Sequence, residues 1–133
     1  HFEGTKQVIL FDQKQNDYLY KIPHALITRE DIDFNNPDFE KWPMLKKAKG
    51  YKTELKHGEV LYMPEGYWHY MRYITPGFSM SLRAIARNPK NFSKAVYNLL
   101  IMRNYDTLMR RLKGQKWIDW KNEQAIIKTH KAL

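Results

Sequence analysis

The spacing of apolar residues changes once along the chain, at Asn88-Pro89, and that change limits the folds open to it. Before it, apolar and polar residues alternate in short runs broken by Gly and Pro. After it, Phe92, Ala95, Val96, Leu99, Met102, Tyr105, Met109 and Leu112 recur every third or fourth position as far as Gly114. A period of two belongs to a strand with one buried face, and a period near 3.6 to an amphipathic helix. Asn88 followed by Pro89 suits a helix start, with an accepting side chain at the cap and a ring whose missing N–H the first turn does not use. The chain therefore reads as a β-rich front, residues 1–87, and a helical back, residues 88–133.

Within the front, "TKQVILF" (5–11) alternates and is rich in branched residues, as a half-buried strand should be. "DYLYKIP" (17–23) reads as a short extended piece, and residues 28–50, with Pro37 and Pro43, as a loop with one short helical turn. "YKTELKHGEVLYMP" (51–64) reads as two short strands around a turn at His57-Gly58. After a corner at Pro64-Glu65-Gly66, "WHYMRYI" (68–74) and "FSMSLRAIA" (78–86) read as strands joined by a type II turn at Thr75-Pro76-Gly77. In the back, a second helix is expected from about Asp119. Leu100 and Ile101 widen the apolar stripe into two faces, which suits either one core or a core and a partner subunit.

The chain has no cysteine, which excludes disulfides, thiolate metal sites and Cys nucleophiles and leaves His, Asp and Glu as metal ligands. No apolar run approaches the ~18 residues of a membrane span. The first residues read as strand rather than as a signal peptide, and the chain is expected to be the later part of a longer, cytoplasmic protein. The net charge is +9, and residues 88–133 hold ten Lys or Arg against three Asp or Glu. That basic tail suits an ordinary solvated helix face or an anionic partner such as nucleic acid.

Period two places His69, Met71 and Tyr73 on one face of their strand and Tyr70 and Arg72 on the other. On the following segment Phe78, Met80 and Leu82 share an apolar face, and Ser79, Ser81 and Arg83 a polar one that faces solvent or a water-filled pocket. A histidine among aromatics is either a hydrogen-bonded structural residue or a ligand. His1 and Glu3 form His-x-Glu at the N-terminus, but a terminal strand edge is a poor place for a rigid ligand pair.

"GTKQVILF", "IDFNNPDFEKWP", "GYKTELKHGEVLYMPEGYWHYM" and "LLIMRN" occur in the order and approximate spacing of the JmjC-like cupin dioxygenases. The chain resembles that family over nearly its whole length. Within it the likeness is nearest to the asparaginyl hydroxylase known as factor inhibiting hypoxia-inducible factor and to its bacterial cupin-like relatives. The string from Gly58 to His69 is the specific part. The resemblance implies a mainly β chain: part of a double-stranded β-helix, or jelly roll, in residues 1–87, followed by helices in residues 88–133 that form a homodimer. It also implies Fe(II) and 2-oxoglutarate. His69 then matches the distal histidine of the iron-binding triad, and Lys6 the lysine that grips the far carboxylate of 2-oxoglutarate. With Val8 and Leu10 on its face, Lys6 points inward, which is costly for an unpaired lysine. The family's His-x-Asp pair lies further upstream than this chain extends, so the triad is incomplete here and the chain alone is expected to be inactive. Ser81 stands where the hydroxylase has an asparagine near the cofactor. Arg83 and Asp31 stand at substrate-contacting positions, in place of a tryptophan and a glutamine, and Glu59 replaces an aspartate. The implied activity is hydroxylation of a protein side chain. The same chemistry on RNA, or a non-catalytic cupin-like binding module, are the alternatives.

Overall fold

The computed structural model describes residues 1–84 and 88–131, arranged as two compact units. Residues 1–15 and 47–84 form the first, and residues 16–46 group with the helical back to form the second. The expected division at residue 87 lies outside the described residues, and segment 16–46 clusters with the helices rather than with the sheet.

The first unit is built on a sheet of β1 (Lys6–Phe11), β2 (Gly50–Leu55) and β3 (Trp68–Tyr73), in the order β2-β1-β3 with both pairs antiparallel. As the central strand, β1 is covered on both faces: Val8, Ile9, Leu10 and Phe11 are all buried. This explains the unbroken Val-Ile-Leu-Phe run better than a half-buried strand does. Register places Lys6, Val8 and Leu10 on one face, opposite Leu55, Thr53 and Tyr51 of β2 and Tyr73, Met71 and His69 of β3. Leu61, Met63 and Tyr67 pack against the Val8, Leu10 and Leu55 cluster on that face.

The expected turns at 57–58 and 64–66 form as two similar corners. Glu59 N–H donates to Lys56 O (3.1 Å) and Tyr67 N–H to Pro64 O (3.3 Å), with Gly58 and Gly66 each at φ +81 in the third position of their turn. The expected type II turn at 75–77 does not form; the chain bends at 74–76 instead. Gly77 does not take a positive φ; a Cβ there would lie 1.9 Å from Glu3 O, so the missing side chain lets two backbones touch.

Two expected strands do not form. Residues 59–63 and 78–84 carry no ladder, because a strand exists only where a neighbour completes its hydrogen bonds in series; the contacts here are isolated ones at the segment ends, from the His1 amino group to Glu59 O (2.8 Å) and from Phe2 and Glu3 N–H to Phe78 O. Residues 85 and 86 of the second of these lie outside the described residues. The expectation of a mainly β chain is corrected accordingly: three six-residue strands are outweighed by helices of 9, 11 and 16 residues.

In the second unit, "DYLYKIP" is not extended. A 3-10 turn covers its start, and one bridge joins Lys21 to Thr28. Tyr20 is fully buried; its hydroxyl accepts from Met44 N–H (3.2 Å), and its ring meets Trp42 edge-on at 4.9 Å. The expected helical turn within 28–50 is the 3-10 segment Pro43–Lys47.

The helical back begins as the Asn88-Pro89 pair requires: Asn88 Oδ1 accepts from Lys90 N–H (2.9 Å) ahead of α1, Pro89–Tyr97. A π turn, Asn98–Met102, leads into α2, Arg103–Lys113. Gly114 at φ +56 stops α2, so the last helix, α3, runs Gln115–His130 and starts before Asp119. Neither α1 nor α2 buries a residue, and Leu99, Leu100 and Ile101 are more than half exposed. α3 instead buries Trp117, Lys121, Ala125 and Thr129, one residue per turn. Lys121 is tolerated there because Asp106 gathers three donors: Lys121 Nζ (2.6 Å) and Trp117 Nε1 (2.8 Å) on Oδ1, and Arg110 Nε (2.9 Å) on Oδ2. Burial works to raise the Asp106 pKa, and the bonds from Lys121 and Trp117 outweigh it, holding the carboxyl below its ordinary value. No helix among the described residues is long and apolar enough to cross a membrane.

Candidate active site

The face shared by Lys6, Val8 and Leu10 brings together two of the candidate site residues, Lys6 and His69. On β3 the directly opposed partners are Tyr73 for Lys6 and His69 for Leu10, so Lys6 and His69 lie on the same face four register steps apart, ~13 Å along the strand. The corner at Glu65-Gly66 sets this phase. Were β3 entered one residue later, His69 would turn to the face of Ile9 and Phe11. His69 itself is exposed at the near end of β3.

Lys6 is 5% exposed. Its Nζ donates to Ser79 Oγ (2.6 Å) and stands 5.4 Å from the centre of the Tyr73 ring; the Tyr73 hydroxyl and Ser79 Oγ are 3.1 Å apart. Among the described residues no carboxylate pairs with it. Burying an ammonium against neutral groups is unfavourable unless an anion completes the set. Two hydroxyls that can turn to donate, beside one ammonium, make a donor set suited to a carboxylate.

Backbone contacts hold Ser79 in place. Phe2 and Glu3 N–H donate to Phe78 O (3.0 and 3.4 Å), the Phe2 and Phe78 rings stack at 5.3 Å, and Gly4 and Gly77 let the two segments close up. Thr5 O accepts from Ile74 N–H at 2.8 Å, extending the same seam to the end of β3. His1 and Glu3 lie on this seam: His1 Nε2 bonds Gly4 O at 3.0 Å, and its ring is tilted against Tyr73 at 6.2 Å.

The remaining expected site residues lie elsewhere. Ser81 and Arg83 are exposed, beyond Ser79 on the segment without a ladder. Asp31 belongs to the second unit, where its carboxylate takes Arg29 Nε (2.8 Å) and Nη2 (3.0 Å) and Lys41 Nζ (3.2 Å). The Arg29 hydrogen bond, with help from Lys41, lowers the Asp31 pKa to about 2. Glu59 caps its own turn, accepting from Lys56 N–H at 2.6 Å. Among the described residues no three His, Asp or Glu side chains converge as a metal site, so His69 contributes a single imidazole. Alternation puts Ser79 on the polar face with Ser81 and Arg83 without pairing it to Lys6, and Tyr73 is the contributor that the sequence does not single out. Alternation placed Tyr73 on the His69 face, but only the β1–β3 register brings it to Lys6.

A profile of cupin-like domains matches residues 1–111. Jumonji C domain-containing protein 5 of Drosophila melanogaster is 40% identical over 81 residues, covering 59% of this chain and 20% of that protein. JmjC domain-containing protein F of Dictyostelium discoideum is 46% identical over 95 residues, with 59% and 20% covered. The tRNA wybutosine-synthesizing protein 5 of Gallus gallus is 39% identical over 66 residues, with 50% and 20% covered. The chain spans about a fifth of the length of the curated relatives it matches.

Proposed function

We propose that this chain, which belongs to the cupin-like domain family, holds one carboxylate of 2-oxoglutarate at Lys6 and works within an Fe(II)- and 2-oxoglutarate-dependent hydroxylase. The observation that carries the reading is the buried Lys6, bonded to the Ser79 hydroxyl with no carboxylate beside it among the described residues, and sharing a face with His69. Lys6 binds the far carboxylate by charge, Ser79 and Tyr73 orient it, and the apolar side chains of Val8 and Leu10 line the way along β1 toward His69. The cosubstrate and iron, when bound, supply oxidative decarboxylation coupled to hydroxylation of a C–H bond. His69 is assigned as one metal ligand; a facial triad needs two more, which the described residues do not bring together, so no step is derived through the metal.

The substrate follows from the resemblance to the asparaginyl hydroxylase: a protein side chain, with Arg83 and Asp31 as substrate contacts and Ser81 near the cofactor. Asp31 would have to exchange Arg29 or Lys41 for its substrate. A second reading, hydroxylation of RNA, is favoured by the relative named for tRNA wybutosine synthesis and by the basic residues 88–133. A homodimer would use the exposed Leu99, Leu100 and Ile101.

The test is binding of 2-oxoglutarate, with and without Fe(II), to this chain and to the protein at the length of its relatives. Binding that Lys6→Met weakens and His69→Ala leaves metal-independent supports the assignment. Binding unaffected by Lys6→Met overturns it.

A further inference from the structure

The first two helices of the back leave one apolar stripe open. Phe92 and Val96 stand four apart on α1, and Ile101, Tyr105, Leu108 and Leu112 follow at steps of five, four, three and four. All six side chains are between 39% and 71% exposed. Steps of three and four keep residues on one side of an α-helix, and a step of five does not. The single step of five, from Val96 to Ile101, enters the π turn, where Arg103 N–H reaches back five residues to Asn98 O. The surplus residue of that turn therefore brings the α1 and α2 stripes into line, as one apolar strip roughly 30 Å long.

The strip turns outward. Asp106 marks the inner side of α2, since it bonds Trp117 and Lys121 of α3. Leu108 and Leu112, two and six positions later, lie about 160° and 120° around the axis from it. Tyr105, its ring 5.9 Å from that of Trp117, forms the border of the strip. The charge around it is of one sign. Residues 88–114 hold six Lys or Arg against a single acid, Asp106, and that carboxylate is already engaged by Lys121 and Arg110. Arg111 and Lys113, both exposed, flank Leu112.

We infer that this strip is a docking surface for an anionic lipid bilayer, on which α1 and α2 lie flat. A helix with aromatic and aliphatic residues on one side and Lys and Arg on the rest partitions into the headgroup boundary without spanning the membrane. The long stems of Arg111 and Lys113 carry their charges to the headgroup phosphates while Leu112 enters the apolar layer. A flat surface meets the whole strip at once, which is what the alignment across the π turn provides. A second copy of the chain is the competing occupant. It would cover the same side chains but set six cations against six, and like charges oppose that contact. The inference rests on the second unit alone and does not depend on the reading of Lys6.

The experiment is co-sedimentation of the full chain with vesicles of pure phosphatidylcholine and of phosphatidylcholine mixed with phosphatidylserine, alongside light scattering of the lipid-free protein. Leu108→Gln and Leu112→Gln remove exposed apolar groups and keep a good helix former. Leu26→Gln, a 60% exposed leucine of the same unit outside the helices, is the control. The expected result is binding to the mixed vesicles, weakened about tenfold by each helix leucine substitution and unchanged by Leu26→Gln. Arg111→Gln and Lys113→Gln should each weaken it about fivefold, and added salt should weaken it further. Mixed vesicles that bind no better than neutral ones, or equal loss in Leu26→Gln, overturn the surface. A lipid-free dimer that Leu108→Gln converts to a monomer, with no vesicle binding, overturns it in favour of the second copy.

Discussion

Replacing Lys6 by methionine separates a binding residue from a structural one, because the two roles move stability in opposite directions. The side chain is 5% exposed, and its Nζ bonds one hydroxyl, Ser79 Oγ at 2.6 Å, with the Tyr73 ring 5.4 Å away. Methionine keeps the length and removes the charge. Ser79 and Tyr73 stay paired at 3.1 Å, so no hydroxyl is left without a partner. Exchanging a buried charge for an apolar group of similar volume is commonly neutral or stabilising. The expected change in urea unfolding is therefore between zero and an increase of ~2 kcal/mol. The same substitution removes a charge-assisted bond to the cosubstrate, worth about 1.5–3 kcal/mol. In isothermal titration that corresponds to a dissociation constant for 2-oxoglutarate raised roughly 10- to 150-fold. A protein that loses ~2 kcal/mol or more of stability and keeps its affinity would refute the reasoning and make Lys6 a structural residue.

Asp106→Asn strands Lys121, which is 2% exposed, and should destabilise the second unit by ~3–5 kcal/mol in denaturant unfolding; adding Lys121→Met should recover most of the loss, and a strictly additive double variant would contradict the ion-pair account. Asp31 and Asp106 both have folded pKa values below their unfolded ones. Their stabilisation is therefore complete above the ordinary carboxyl range near pH ~4 and is lost as the pH falls toward about 2 for Asp31; a midpoint of acid unfolding that Asp31→Asn leaves unmoved would count against this. Gly77→Ala pushes a Cβ into Glu3 O and should cost about 1–3 kcal/mol by thermal unfolding while weakening 2-oxoglutarate binding through Ser79; unchanged stability would mean the seam yields easily. Leu100→Glu with Ile101→Lys should leave a monomer in light scattering if these exposed side chains join two copies, and an unchanged mass would dismiss that interface.

Local signals and the presence of a strand at β1 are readable from sequence; its central place, and everything else that depends on pairing, is not. Asn88-Pro89 announced α1 because cap and ring act within one turn. The inward Lys6 followed from its alternation with Val8 and Leu10, since side-chain direction along β1 needs no knowledge of its neighbours. Segments 59–63 and 78–84 carried equally good alternation and formed no ladder, because alternation describes the side chains and the ladder needs a second backbone. For the same reason the serine beside Lys6 is Ser79 and not Ser81: the two share a parity, and only the Phe2–Phe78 seam decides between them. The buried stripe of α3 was hidden because Lys121 and Thr129 occupy two of its four positions, and a lysine reads as solvent-facing until Asp106, fifteen residues earlier, is known to meet it. Tyr20 (φ 51) gave no sign of its backbone, and His24 (φ 55) only a weak one, since histidine is enriched at positive φ but far less dependably than glycine.

The π turn has a consequence for how this chain can lengthen or shorten. Arg103 N–H reaches back five residues to Asn98 O, so Asn98–Met102 contains one residue more than an α-helix would use for the same advance. Deleting any single residue within it would restore ordinary winding and swing everything that follows by about 100° about the helix axis. Asp106, Arg110, Trp117 and Lys121 all follow the turn, whereas α1 precedes it. A one-residue deletion there would therefore leave the Asp106 cluster intact and change only how α1 is turned relative to it.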